Sequence, residues 1–150
     1  MTSETSKTGA AGAVNVAGMS PRFSVTGLVV SDMAASLAFY RRLGLAISPE
    51  ADTEPHVAVE LPGGLQLAID TEDTVRSFDE KWTPPAGDGY RMSLAFACDD
   101  PADVDATYAE LTGAGYEGHL PPWDAFWGMR YASVRDPDGN PVDLFALLAQ

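Results

Sequence analysis

One phrase occurs twice in this chain, and that repetition restricts its fold more than any other feature. Phe23-Ser-Val-Thr-Gly-Leu-Val-Val30 is a β-branched run that stops at Ser31-Asp32, a pair suited to capping a helix. Met33, Leu37 and Tyr40 follow at i, i+4 and i+7, Leu43 extends the stripe, and Gly44 supplies a residue that closes helices. The phrase returns with Arg91-Met-Ser-Leu-Ala-Phe-Ala97, the cap Asp100-Pro101, the stripe Val104, Tyr108 and Leu111, and the glycines Gly113 and Gly115. Asp32 and Asp100, Tyr40 and Tyr108, and Leu43 and Leu111 are each 68 residues apart. A constant offset of this kind is the signature of a duplicated structural unit.

Strand-like segments follow each helix. In the first half they are His56-Val-Ala-Val-Glu-Leu61 and Leu65-Gln-Leu-Ala-Ile69, with Pro62-Gly63-Gly64 as the turn. In the second half they are Trp127 to Val134 and Val142 to Phe145, joined by Asp136-Pro-Asp-Gly139. The expected fold is α+β, with two tandem βαβββ modules forming a curved mixed sheet around a central pocket. Module one spans about 22–81, a linker with Pro84-Pro85 and Gly87-Asp-Gly89 spans about 82–89, and module two spans about 90–148. Residues 21–150 form one domain. Residues 1–20, mostly Ser, Thr, Gly and Ala, read as a disordered tail with no signal-peptide or membrane-spanning pattern, and either Met1 or Met19 suits the start.

Composition excludes some partners. With 22 acidic residues against 9 basic ones the formal charge is −13, which repels nucleic acid and anionic membrane surfaces. The lone Cys98 has no internal disulfide partner, which suits a reducing, cytoplasmic setting.

Two segments carry a family likeness. Val29-Val-Ser-Asp-Met-Ala-Ala-Ser-Leu-Ala-Phe-Tyr-Arg-Arg-Leu-Gly-Leu45 resembles the opening strand and helix of vicinal oxygen chelate proteins, the superfamily of glyoxalases, bleomycin-resistance proteins and ring-cleaving dioxygenases. Val134-Arg-Asp-Pro-Asp-Gly-Asn-Pro-Val-Asp-Leu-Phe145 resembles their closing hairpin. The likeness covers about residues 22–148. It implies paired βαβββ modules around a pocket, completed in many members by dimerisation.

The resemblance also implies where a metal would sit in a catalytic member. Those positions fall on Val25, Gln66, Arg91 or its neighbour Tyr90, and Asp143. Valine offers no lone pair and arginine repels a cation, so only Gln66 and Asp143 could ligate, and two donors without imidazole make a poor site. His56 and His119 lie elsewhere. The expectation is no metal and no other cofactor. Asp143 is read either as a ligand contact or as a carboxylate satisfied by a neighbour such as Arg91 or Arg130.

Aromatic residues concentrate downstream. In a strand beginning at Trp127, that residue, Met129 and Tyr131 share one face, an aromatic and thioether wall suited to a planar ligand. Trp82 and Trp123, near the linker and a Pro-rich turn, are assigned to packing or to an interface. Among superfamily members the phrases Asp70 to Ser77, Tyr108-Ala-Glu-Leu111, Ala114 to Leu120 and Trp127 to Tyr131 resemble the metal-free, mitomycin-binding resistance proteins. That likeness implies a planar quinone held between an imidazole and an indole, by position His56 and Trp127.

The expected function is a metal-independent, homodimeric binding protein that sequesters a small planar hydrophobic molecule such as a quinone-type antibiotic. Its ligand residues are His56, Gln66, Trp127, Met129, Tyr131 and Asp143. The alternative is a glyoxalase-like or dioxygenase-like enzyme on the same scaffold, most simply one without metal, with Asp143 or Glu60 as general base.

Overall fold

The computed structural model describes residues 21–87 and 91–149. It shows a mixed α+β fold of two sheets with few helices. Strands β1 (Val25–Val30), β2 (His56–Glu60) and β3 (Gln66–Thr71) form the first sheet, in the order β1-β3-β2. Strands β4 (Leu94–Ala97), β5 (Gly118–Asp124), β6 (Met129–Arg135) and β7 (Pro141–Leu147) form the second, in the order β4-β7-β6-β5. In each sheet the opening strand runs parallel to the closing one, with Val25 opposite Gln66 and Ala95 opposite Asp143. The remaining pairings are antiparallel.

Helices α1 (Met33–Arg42) and α3 (Pro101–Gly113) follow the opening strands, as the repeat requires. Asp32 caps α1 by accepting the Ala35 amide at 3.1 Å, and Asp100 caps α3 by accepting that of Asp103 at 2.8 Å. The stripe on α1 is wider than the sequence suggests. Met33 and Leu37 pack with Val57, Val59, Leu67 and Ile69 on the first sheet, whereas Phe39 and Tyr40 pack with Val104, Leu111, Val134 and Leu144 on the second. One helix therefore serves both cores, and Leu28, Leu45, Ile47 and Leu94 border each.

A second tie fastens the halves. The Asp136-Pro-Asp-Gly139 turn reaches α1: Tyr40 donates its phenol to Asp136 Oδ2 at 2.7 Å, and the Ser31 amide donates to Asp138 Oδ1 at 3.2 Å. Asn140 holds the Asp136 carboxylate from the other side. Burial first, and then the adjacent Asp136 carboxylate, push the Tyr40 phenol well above the usual range, so it remains a donor.

Four local departures from the sequence reading have physical causes. The first half has no described counterpart of β5, because after α1 the chain turns at Ser48-Pro49 into a short 3-10 helix, Pro49–Thr53. The opening strand of the second half begins at Leu94, not Arg91. Its first ladder partner is Val142, one residue past Pro141, which has no N–H to extend the pairing. An added helix, α2 (Glu72–Arg76), stands before the linker, capped by Thr71 accepting the Thr74 amide. The Pro121-Pro122 stretch is not a turn but part of β5. It is tolerated because β5 is an edge strand whose register slips by one residue between Leu120 and Trp123. Among the described residues no helix is long and apolar enough to cross a membrane.

Candidate ligand-binding site

Alternation along the strands decides what each sheet shows on the side away from the helices. On the second sheet Ala132, Val134, Val142, Leu144 and Ala146 point into the core. Met129, Tyr131, Ser133, Asp143, Phe145 and Leu147 thus line the opposite, helix-free face. Arg130 confirms the alternation, since it turns to the helix side and pairs with Asp105 of α3 at 2.9 Å and with Asp124 at 3.0 Å.

An aromatic wall stands on this helix-free face. Trp123 is the register partner of Tyr131, and their rings meet edge to face with centroids 5.6 Å apart. Trp127 lies 5.3 Å from Tyr131 and 5.9 Å from Trp123, again edge to face. Trp127 is not the first residue of β6, as its sequence pattern implied. It sits in the β5–β6 hairpin, where Gly128 takes φ 89°, a value that favours glycine, and donates its amide to Ala125 O. The turn still directs the indole back over Tyr131. Trp127 remains 46% exposed and its neighbour Phe126 is 96% exposed, so the wall offers uncovered aromatic surface. Trp123, assigned from sequence to packing or an interface, belongs to this wall. Its signal was hidden by the prolines beside it.

Asp143 sits beneath the wall. It is 9% exposed, and the Tyr131 phenol donates to its Oδ2 at 2.7 Å. The neighbour that satisfies it is therefore Tyr131, not Arg130, which is committed to the other side. Arg91 is exposed ahead of β4, and Tyr90 lies outside the described residues.

The remaining candidates lie on the first sheet. Its helix-free face carries His56 beside Asp70 and Glu60 beside Gln66, each pair in register across β2 and β3. His56 Nδ1 is hydrogen-bonded to Asp70 Oδ1, and Gln66 donates to Glu60 Oε2 at 2.6 Å. Between these pairs lie only Gly27, Ala58 and Ala68. His56 and Trp127 thus belong to different sheets, His56 on the outer strand of one and Trp127 on a hairpin of the other. Met129, Tyr131, Trp127 and Asp143 are brought together, whereas Gln66 and His56 stand apart from them.

These side chains do not fit a metal. Val25, opposite Gln66, has no donor atom, Gln66 is engaged with Glu60, and no group of three or more His, Cys, Asp or Glu converges among the described residues. At the repeat's offset the counterpart of Val25 is Ser93, not Arg91. Cys98, half-buried at the end of β4, has its thiol pushed up by burial and by Asp103, which disfavours the nucleophilic thiolate.

An open hollow lies elsewhere. It has a volume of about 450 Å³ at the end of the first sheet, lined by Met33, Asp52, Glu54, Thr71, Asp73 and Ser77 among others. Its acids are partly neutralised by Arg41 on Asp52 and Arg76 on Asp73, and no aromatic ring lines it. That lining suits a polar solute rather than a flat apolar one.

Residues 22–144 match the family model of the Glyoxalase/Bleomycin resistance protein/Dioxygenase superfamily. The chain belongs to that superfamily. It is 30% identical over 125 residues to the uncharacterized protein YraH of Bacillus subtilis, a match spanning 81% of this chain and 94% of that one. Among solved structures it is similar to a glyoxalase/bleomycin resistance protein/dioxygenase from Nocardioides, with 26% identity and a TM-score of 0.67 over 96% of this chain and 93% of the other. It is also similar to a protein of unknown function from Agrobacterium tumefaciens C58, at 28% identity and a TM-score of 0.65, covering 89% of this chain and 100% of that one. Superfamily membership accounts for the parallel pairing of opening and closing strands and for the tandem repeat. It leaves the chemistry to the particular side chains on the helix-free faces.

Proposed function

We propose that this superfamily member is a metal-independent binding protein that sequesters a small planar hydrophobic molecule of the quinone-antibiotic type. The observation that carries the reading is the uncovered wall of Trp127, Trp123 and Tyr131 on the helix-free face of the second sheet. A flat ring laid on Trp127 gains stacking and buried area without ordering a long flexible side chain. The resemblance of Trp127-Gly-Met-Arg-Tyr131 to mitomycin-binding resistance proteins supports the same ligand class.

A second reading, a metal-free glyoxalase-like enzyme, is favoured by the His56–Asp70 pair. Asp70 orients the imidazole through Nδ1 and leaves Nε2 to exchange a proton with a substrate. Turnover of a candidate ligand, lost in His56→Ala, would establish it over simple binding.

The test of binding is quenching of tryptophan fluorescence by planar quinones. Trp82 lies after α2, with the Arg76 guanidinium 5.5 Å over its ring, in the other half of the repeat. Trp127→Ala should weaken binding by about 2 kcal/mol or more, over tenfold in affinity, while Trp82→Ala leaves it nearly unchanged. Equal affinity of the two variants, both folded by circular dichroism, would remove the site from the aromatic wall.

A further inference from the structure

Asp143 is a mostly buried carboxylate that holds one oxygen in a hydrogen bond and leaves the other open to solvent. It is nine-tenths buried, it accepts one hydrogen bond, from Tyr131 to Oδ2, and no described residue donates to its Oδ1. The arginines near it in sequence are spent elsewhere: Arg130 on Asp105 and Asp124, and Arg135 on Glu117 and the Gly139 carbonyl. Every fully buried side-chain nitrogen or oxygen among the described residues has a hydrogen-bond partner, so Asp143 Oδ1, which accepts from none, reaches solvent and is open to a charged donor that a ligand brings. On β4 the residue opposite Asp143 is Ala95, whose methyl leaves the approach from the helix-free side open. Its donor Tyr131 carries the rings of Trp123 and Trp127 edge to face against its own, and aromatic faces attract cations.

Resting on the reading of this face as the binding site, we infer that its ligand is a planar aromatic amine, whose protonated nitrogen donates to Asp143 Oδ1 while its ring lies on the tryptophan wall. Asp143 selects cationic over neutral or anionic rings of the same shape. The carboxylates on the helix-free face of the first sheet, Glu60 and Asp70, carry the same sign of charge and repel anionic rings as well.

Three dyes that share one ring system separate charge from shape: proflavine, a cation; acridine, uncharged near neutral pH; and acridine carboxylate, an anion. Binding is read from tryptophan quenching at physiological salt. Proflavine should bind tighter than acridine by about tenfold or more, with acridine carboxylate weakest. Asp143→Asn preserves the shape and an acceptor for Tyr131, and it should erase the preference for proflavine while leaving acridine affinity within about twofold. Asp73→Asn removes an equal charge from an exposed side chain and should change neither, which separates local pairing from attraction to the acidic molecule as a whole. Equal binding of proflavine and acridine to the unaltered protein overturns the inference, as do equal losses from Asp143→Asn and Asp73→Asn. Should the dyes bind without regard to charge yet be lost together in Trp127→Ala, the aromatic site stands and the amine anchor falls. Should none of them bind, both fall.

Discussion

Gln66 and Asp143 show how much a single neighbour decides. Gln66 is tied to Glu60 and faces Val25, so the position where a catalytic relative would gather metal donors is occupied by a hydrogen-bonded pair and an alkyl group. Asp143 is on the other sheet, hydrogen-bonded to Tyr131. A Lewis-acid site needs about three or four converging donors, and these residues supply neither the number nor the imidazole. Protein purified without added metal should therefore carry well under one equivalent of Zn, Ni, Fe or Mn by elemental analysis, and chelation should leave its melting temperature unchanged. One equivalent that a chelator strips away with loss of stability would contradict this assignment.

Between elements, the tie from α1 to the β6–β7 turn is the contact most open to a single substitution. Tyr40→Phe removes the phenol from Asp136 Oδ2 and leaves a buried acceptor to Asn140 alone. The expected loss of stability is about 1–3 kcal/mol by urea or thermal unfolding, with ligand affinity unaltered. A loss below about 0.5 kcal/mol would mean that water or Asn140 replaces the phenol without penalty. The chain made some elements readable and concealed others. Both capped helices, the strands that precede them and the Pro62–Gly64 turn follow from local periodicity and caps, which are properties of contiguous residues. β5 was concealed because Pro121 and Pro122 argue against a strand unless its edge position is known. α2 carried a readable signal in Thr71 followed by Glu72-Asp73, too short to register beside a linker. At the site, alternation correctly puts Met129 and Tyr131 on one strand face, but it misplaces Trp127, which the Gly128 turn rather than the strand directs toward Tyr131. The Tyr131–Asp143 bond was not, since it depends on the register between two strands.

Across the whole molecule, both sheets expose their helix-free faces and several large apolar side chains remain uncovered, including Leu147 at 70% and Phe126 at 96%. Apolar surface of that kind usually marks an interaction site. A homodimer is the expected arrangement, with an outer strand or helix-free face of one copy covered by the other. Light scattering at micromolar concentration should give twice the mass of the chain, and a monomer would mean that these faces are left to the ligand alone. The central claim, that a planar ligand sits on the aromatic wall of the second sheet, is tested most directly by mapping backbone amide shifts during titration with a quinone or an acridine dye. Saturable shifts should cluster at Trp123, the Phe126–Tyr131 segment and Asp143. Shifts confined to Met33, Asp52 to Glu54 and Thr71 to Thr74, around the acidic hollow at the end of the first sheet, would place the ligand there and contradict the account.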